Sequence, residues 1–246
     1  MKRNISIFLI LISFLLSCSH IENEKLNEPL NLLSSYSIDV PEPSGLSFSS
    51  GKAALYVVSD NTNKIYKITF TGKVLSTIDF SGYDLEGVCF DENSNAIWIV
   101  EERERKLIKI DLLGNILKSI KIDIEINDEN KGLEGLTINN ENGFLYIVNE
   151  YNPSILIKLD ENQHIISNYT LNFASDYSGI YYDEYLEKLW ILSDESSKLT
   201  LCSLEGKAEK TYNIGINKAE GIVVDSKNNK VYIVSDSNEK LYVFQF

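Results

Sequence analysis

The chain repeats one short motif five times: PEPSGLSF (41–48), YDLEGVCF (83–90), KGLEGLTI (131–138), DYSGIYYD (176–183) and KAEGIVVD (218–225). The shared glycines, at positions 45, 87, 135, 179 and 221, are 42, 48, 44 and 42 residues apart. A repeat in the forties with several short strands per unit is typical of a β-propeller blade.

Each repeat continues with a β-branched and aromatic run that ends in an acid: ALYVVSD (54–60), AIWIVEE (96–102), FLYIVNE (144–150), KLWILSD (188–194) and KVYIVSD (230–236). Two further runs follow, such as KIYKITF (64–70) and VLSTIDF (74–80), with turn residues between them. Four strands per unit and no long helical period predict an all-β, five-bladed propeller.

The last repeat is one strand short, because the chain ends with its third run, KLYVFQF (240–246). The segment LLSSYSID (32–39) resembles the fourth run of the first repeat. We therefore expect this N-terminal strand to complete the last blade and cover its open edge. The predicted propeller domain is 32–246.

The N-terminus has the layout of a lipoprotein signal. Lys2 and Arg3 precede an apolar stretch that ends in LLSC (15–18). The stretch is too short for a stable spanning helix, and a cysteine after a small residue matches the site of lipid attachment. We expect residues 1–17 to be removed, Cys18 to carry lipid, and 18–31 to form a flexible tether. The alternative is an ordinary signal peptide with an incidental cysteine.

These features predict a bacterial envelope protein held to the membrane by lipid. The outer membrane, facing the periplasm or the surface, is favoured because Ser19 replaces the aspartate associated with inner-membrane retention. Without residues 1–17 the chain keeps 21 basic and 36 acidic residues. So acidic a chain lacks the clustered cations that a nucleic-acid partner requires.

The residue before each repeat glycine forms the most informative column: Ser44, Glu86, Glu134, Ser178 and Glu220. First strands line the axis of a propeller, so these side chains should converge there, and their carboxylates should repel one another. A calcium ion, which takes six to eight oxygen ligands, would relieve that repulsion. The alternative is that each glutamate only bonds to neighbouring backbone amides at the start of its strand.

A second column ends the second strands: Asp60, Glu102, Glu150, Asp194 and Asp236. These residues either form an acidic funnel to the channel or accept amide hydrogens in their hairpins. A third column consists of large aromatics: Tyr56, Trp98, Tyr146, Trp190 and Tyr232. We expect it to pack between the blades. Tyr177, Tyr181 and Tyr182 leave open a ring-stacking site in blade four.

The EPSGL, LEGV and LEGL segments, followed by LYIVSD-like strands, resemble the SdiA-regulated family of bacterial propeller proteins over residues 36–246. That family has no established activity, so the resemblance implies an architecture and an envelope location only. The Ser, Glu, Glu, Ser, Glu order also resembles the axial calcium site of five-bladed calcium-dependent apyrases. That resemblance implies calcium at Ser44, Glu86, Glu134, Ser178 and Glu220.

Two functions compete at this level. The favoured one is a non-enzymatic binding or scaffold module whose partner is a small molecule or an envelope protein. It is supported by the lack of a recognisable nucleophile, histidine base or phosphate-binding motif. The alternative is a metal-dependent hydrolase of phosphoester, lactone or sugar substrates, because bound calcium can polarise a substrate oxygen.

Overall fold

Five antiparallel sheets follow one another along the chain, which confirms the all-β, five-bladed propeller. The computed structural model describes residues 28–124 and 131–246, so the predicted signal peptide and Cys18 lie outside the described residues. The strands of blade one are β3 (Pro43–Phe48), β4 (Leu55–Ser59), β5 (Lys64–Ile68) and β6 (Val74–Ile78). Those of blade two are β7 (Leu85–Asp91), β8 (Ala96–Glu101), β9 (Lys106–Ile110) and β10 (Ile116–Lys121).

Blades three and four repeat this pattern. Blade three consists of β11 (Leu133–Asn139), β12 (Phe144–Asn149), β13 (Ile155–Leu159) and β14 (Ile165–Thr170). Blade four consists of β15 (Gly179–Asp183), β16 (Lys188–Ser193), β17 (Lys198–Cys202) and β18 (Ala208–Asn213). The helical content of the described residues is limited to two 3₁₀ turns, Ser50–Lys52 and Ser226–Asn228.

Blade five combines both ends of the chain. Its strands are β19 (Ala219–Asp225), β20 (Lys230–Ser235), β21 (Lys240–Gln245) and the N-terminal β2 (Asn31–Ser37). Strand β2 pairs antiparallel with β21, from Asn31 opposite Gln245 to Ser37 opposite Lys240. The edge of β21 is thereby hydrogen-bonded rather than open.

The last residues of the predicted tether lie on the propeller. Strand β1 (Glu28–Pro29) pairs parallel with the end of β18, and the Leu30 amide donates to the Asn213 carbonyl at 3.1 Å. Leu30 is buried against blade four. Residues 28–30 are therefore hydrogen-bonded to blade four as well as packed on it through Leu30.

The core lies between neighbouring blades, and the aromatic column is buried in it, as predicted. Trp98, Tyr146 and Trp190 are at most 2% exposed. Tyr146 stacks on Tyr182 of the next blade at 6.2 Å between ring centroids. Tyr177 and Tyr182 are buried in the same cluster. Neither ring is available for stacking on a ligand.

The repeat glycines bring the five blades together at the axis. A Cβ atom on Gly45 would lie 2.2 Å from the Glu86 carbonyl oxygen of the next blade. On Gly179 it would lie 2.3 Å from the Glu220 carbonyl oxygen. Any larger residue would push the backbones apart. The glycines therefore close the channel to a waist with a volume of only about 10 Å³.

Candidate functional site: an acidic axial cavity

A cavity of about 260 Å³ opens on the face where first strands begin and second strands end. Its lining consists of eleven carboxylates, two lysines and two serines. All five residues of the predicted axial ring and all five of the predicted funnel are among them. The glycine waist lies at its inner end, where the channel narrows to about 10 Å³.

A further column, not identified in the sequence, lies three residues before each repeat glycine: Glu42, Asp84, Gly132, Asp176 and Lys218. In four blades its backbone carbonyl accepts the amide of the funnel residue, as from Glu102 to Asp84 at 3.0 Å and from Asp236 to Lys218 at 3.0 Å. These hydrogen bonds join the start of the first strand of a blade to the end of its second strand. The constant offset from the glycine was the signal that could have revealed this column.

In blade four the carboxylates of Asp176 and Asp194 accept hydrogen bonds from the protein itself. The buried Asp176 accepts the Ser193 hydroxyl and the amides of Asp194 and Glu195, both at 3.1 Å. One oxygen of Asp194 accepts the Ala219 amide at 3.2 Å. Asp194 therefore accepts an amide, but the donor belongs to the first strand of blade five and not to the hairpin of Asp194 itself.

Ser178, the ring serine of blade four, also forms a hydrogen bond within the protein. The Ser178 hydroxyl donates to the Ala219 carbonyl of blade five at 2.7 Å. Its oxygen keeps lone pairs that face the cavity it lines. Ser178 can therefore still act as a neutral oxygen ligand.

In blades one to three the carboxylates face one another. Two groups of three have oxygens within 4.8 Å of each other: Asp60 with Asp84 and Glu86, and Glu102 with Glu134 and Glu150. Each group contains one ring glutamate and at least one funnel residue. The closest approaches thus lie within and between neighbouring blades.

Part of this charge is balanced. The Glu102 carboxylate accepts the Gly132 amide at 2.8 Å, Lys131 pairs with Glu150 at 2.9 Å, and Arg103 pairs with Asp84 at 3.1 Å. Among the described residues, no lysine or arginine forms an ion pair within 4 Å with a ring glutamate. The ring glutamates of blades two and three keep the larger share of uncompensated charge.

The pKa values reflect this crowding. Burial, followed by the charges of Glu86 and Glu102, raises the pKa of Glu134 well above its ordinary value of 4.5. Burial, followed by the charge of Asp60, does the same for the pKa of Glu86. Burial raises the pKa of Glu102 to about 7. The shared cause is that charged carboxylates are desolvated next to other carboxylates.

The pKa of Glu220 responds to a lysine as well. Burial and the charge of Asp194 raise it to about 8, whereas Lys218 opposes the rise. Lys218 lines the cavity beside this glutamate and forms no ion pair within 4 Å in the described chain. The cavity therefore has an acid-rich side in blades one to three and a partly neutralised side in blades four and five.

The donor set fits a hard cation. The groups that line the cavity and can ligate a metal are carboxylate and hydroxyl oxygens, without histidine or cysteine. Oxygen ligands in this number are those that calcium takes, whereas magnesium demands a tighter octahedron. Cys89 and Cys202 are both buried and unpaired, away from this lining.

Fold and cavity together define a class: a five-bladed β-propeller with an acidic axial cavity. The family model described as SdiA-regulated matches residues 36–245, and the chain belongs to that family. Among residues 28–124 and 131–246, no helix has the length and apolar character needed to cross a bilayer.

Solved propellers resemble the chain in fold. A streptogramin B lyase is 18% identical with a TM-score of 0.53, over 85% of this chain and 71% of that one. The virginiamycin B lyase from Staphylococcus aureus is 18% identical with a TM-score of 0.53, over 86% and 69%. The WD40 propeller domain of Doa1 is 12% identical with a TM-score of 0.55, over 81% and 62%. At these identities the likeness is one of fold alone.

Proposed function

We propose that this protein is a lipid-anchored envelope propeller that binds calcium in its axial cavity and presents the loaded cavity to a ligand or protein partner. One observation carries the proposal: eleven carboxylates and two lysines line one cavity of about 260 Å³. A concentration of like charge this high is costly unless a cation compensates it. In this view the cation stabilises the ring and sets the charge that a partner meets.

The compact group of Glu102, Glu134 and Glu150 offers the ion its first carboxylates. Glu86, Glu220 and the two ring serines lie around the same cavity and can complete an oxygen shell. Lys131 would keep its bond to one oxygen of Glu150, because a carboxylate has more than one lone pair to share. Calcium tolerates such an irregular arrangement better than magnesium does.

The test is a thermal melt of the full chain with chelator and with added calcium, after elemental analysis of the purified protein. A ligand that binds only the folded state stabilises it by about 2.7 kcal/mol at a hundredfold excess over Kd. We expect chelation to lower the Tm and calcium to restore it. Glu134→Gln should shift the calcium response to higher concentration, because it removes one charged ligand.

Glu141→Gln is the matched control, because Glu141 is exposed in the turn between β11 and β12. It should leave the calcium response unchanged. A Tm that changes neither with chelator nor with added calcium would refute the metal proposal. In that case Glu134→Gln should stabilise the protein by relieving repulsion.

The anchor has its own test. Cys18→Ser should abolish incorporation of labelled fatty acid and release the protein from the membrane fraction. The physical reason is that an acyl chain gains about 0.8 kcal/mol per buried methylene, so removal of the lipid removes most of the attachment. Retention of the variant in the membrane after a high-salt wash would contradict this.

A metal-dependent hydrolase is the second candidate. It is favoured by Lys218, which lines the cavity, has no ion pair within 4 Å among residues 28–124 and 131–246, and suits an anionic substrate group. The lyase activity in the names of two fold relatives does not define the substrate of this chain. Calcium-dependent turnover in a panel of nucleotide, phosphoester, lactone and glycoside substrates would favour catalysis. Lack of turnover with intact calcium binding would favour the binding module.

A further inference from the structure

A second cavity, of about 470 Å³, lies outside the axial site. It is a groove along blade two, lined by the connection that precedes β7, by the β8–β9 turn, and by strands β9 and β10. Among the described residues, none lines both this groove and the axial cavity. A ligand of the groove can therefore be tested separately from calcium. We call this cavity the blade-two groove.

Three residues of the blade-two groove have no counterpart in the other repeats: Gly82, Tyr83 and Glu101. Fourteen residues after the repeat glycine, where blade two has Glu101, the other blades have Ser59, Asn149, Ser193 and Ser235. Four residues before the glycine, no other repeat has an aromatic residue, and five residues before it, no other repeat has a glycine. The other blades fold without these three residues, so the architecture does not require them.

Glu101 is a buried carboxylate with an oxygen that lacks a close donor. Its side chain is only 6% exposed, and one of its oxygens accepts the Tyr83 amide at 2.9 Å. The other oxygen lies 3.9 Å from the Lys106 ammonium, which is too far for a hydrogen bond. In blade five, Ser235 at this position instead donates to the Asn217 carbonyl at 2.7 Å. The glutamate thus adds an acceptor that a donor on a ligand would satisfy.

Tyr83 supplies an aromatic ring that is accessible, at 53% exposure, and restrained at both ends. Its amide bonds to Glu101, and its side chain interacts with the Arg103 guanidinium. Arg103 is itself held by an ion pair with the buried Asp84 at 3.1 Å. Gly82 leaves room for this arrangement, because a Cβ atom there would lie 3.0 Å from a Glu101 oxygen. A restrained ring loses little conformational entropy when a ligand stacks on it.

We propose that the blade-two groove binds a carbohydrate, whose ring stacks on Tyr83 while its hydroxyl groups bond to Glu101 and Lys106. A cationic ligand is disfavoured by Lys106, and an anionic ligand by Glu101 and Glu104, since all three line the groove. A neutral ligand with donors and acceptors on adjacent atoms meets neither obstacle. A sugar hydroxyl can donate to a carboxylate and accept from an ammonium.

The rest of the lining suits a sugar ring as well. Ser81 and Ser119 offer hydroxyl groups that can donate or accept. Phe80 and Ile108 give the groove apolar surface against which the C–H face of a sugar can pack. The polar groups would fix the orientation of the ligand, and the aromatic and apolar surface would bury it.

The test measures the binding of free sugars to the purified full chain by saturation-transfer NMR and by titration. The probes are glucose, galactose, mannose and N-acetylglucosamine, each as the monosaccharide and as a linear trisaccharide of the same unit. We expect at least one probe to bind to the wild type. Tyr83→Ala should weaken that binding by about tenfold or more, because the stacking surface is lost. Binding of no probe, or equal binding to Tyr83→Ala, would overturn the proposal.

Glu101→Gln tests the carboxylate. The amide side chain keeps an acceptor for the Tyr83 amide but turns a donor towards the groove in place of the second oxygen. Sugar affinity should fall by about tenfold, because a hydrogen bond to a charged acceptor is lost. Unchanged affinity would remove Glu101 from the site and overturn the proposed contacts.

Tyr185→Ala is the matched control. Tyr185 is 65% exposed in the β15–β16 turn, on the face opposite the axial cavity. This variant should bind the sugar as the wild type does. Equal losses in the two tyrosine variants would refute the assignment to the groove.

Two further measurements distinguish other occupants. Tetramethylammonium and acetate serve as a cationic and an anionic probe. If either ion bound in a Tyr83-dependent way while no sugar did, the groove would be assigned to that ion and the proposal overturned. Chelator should leave sugar binding unchanged, and loss of binding in chelator would place the sugar at the calcium instead. Sugar binding by a chain whose melt does not respond to calcium would support the groove and refute the axial metal.

Discussion

The two sides of the axial cavity hold carboxylates in different environments. In blade four, Asp176 and Asp194 accept backbone amides, so their charge is compensated by the fold. In blades two and three, Glu86 and Glu134 face other carboxylates, and their pKa values are raised. The comparison teaches that the state of a cavity carboxylate depends on which hydrogen-bond donors lie within its reach.

The largest expected effect tests the acid-rich side through pH. Without metal, Glu102 and Glu220 have pKa values of about 7 and 8, above the ordinary 4.5. The folded state then binds protons that the unfolded state has already released, so stability is highest at low pH and falls as pH rises through these values. Each such group contributes up to about 1.4 kcal/mol per pH unit.

We therefore expect the Tm of the chelated protein to fall by roughly 10 °C between pH 5.5 and pH 8. Saturating calcium should flatten this dependence, because a bound cation keeps the carboxylates ionised. The measurement is a calorimetric pH series with and without calcium. A Tm that rises with pH in chelator would show that the carboxylates are not crowded as described.

The next effect separates the two sides by substitution. Asp176→Asn should destabilise the protein by about 1–3 kcal/mol, because the new amide group cannot accept all the donors that the carboxylate accepts. The loss should be the same with calcium and with chelator. Glu134→Gln, by contrast, should be destabilising only when calcium is present. Urea denaturation of both variants, with calcium and with chelator, measures the two free energies of unfolding. If the destabilisation by Asp176→Asn depended on calcium, the two sides of the cavity would not differ as described.

The smallest effect concerns the lysine of the neutralised side. Lys218→Met removes a positive charge near Glu220, so calcium affinity should rise about two- to threefold, a change of about 0.5 kcal/mol. Lys227→Met, in the exposed turn Ser226–Asn228 of the other face, is the control and should leave the affinity unchanged. Calcium titration calorimetry compares the two. Equal calcium affinities in the two variants would show that the charge of Lys218 does not act on the bound cation.

The sequence by itself determined the architecture. The period of 42 to 48 residues between glycines, with alternating β-branched runs, predicted five blades of four strands. It also predicted which columns of residues would meet at the axis, because identical units placed around a ring bring identical positions together. The buried aromatic column follows from the same repetition.

Only the tertiary structure decided which residues of those columns receive hydrogen bonds and which do not. The bonds from Ala219 to Asp194 and from Gly132 to Glu102 cross between blades, and no periodicity specifies which amides will lie within reach. The bulges that turn Leu33 and Leu117 outward likewise depend on strand register. A repeat dictates what each blade presents, but hydrogen bonds between blades decide which charges remain uncompensated and which apolar groups stay exposed.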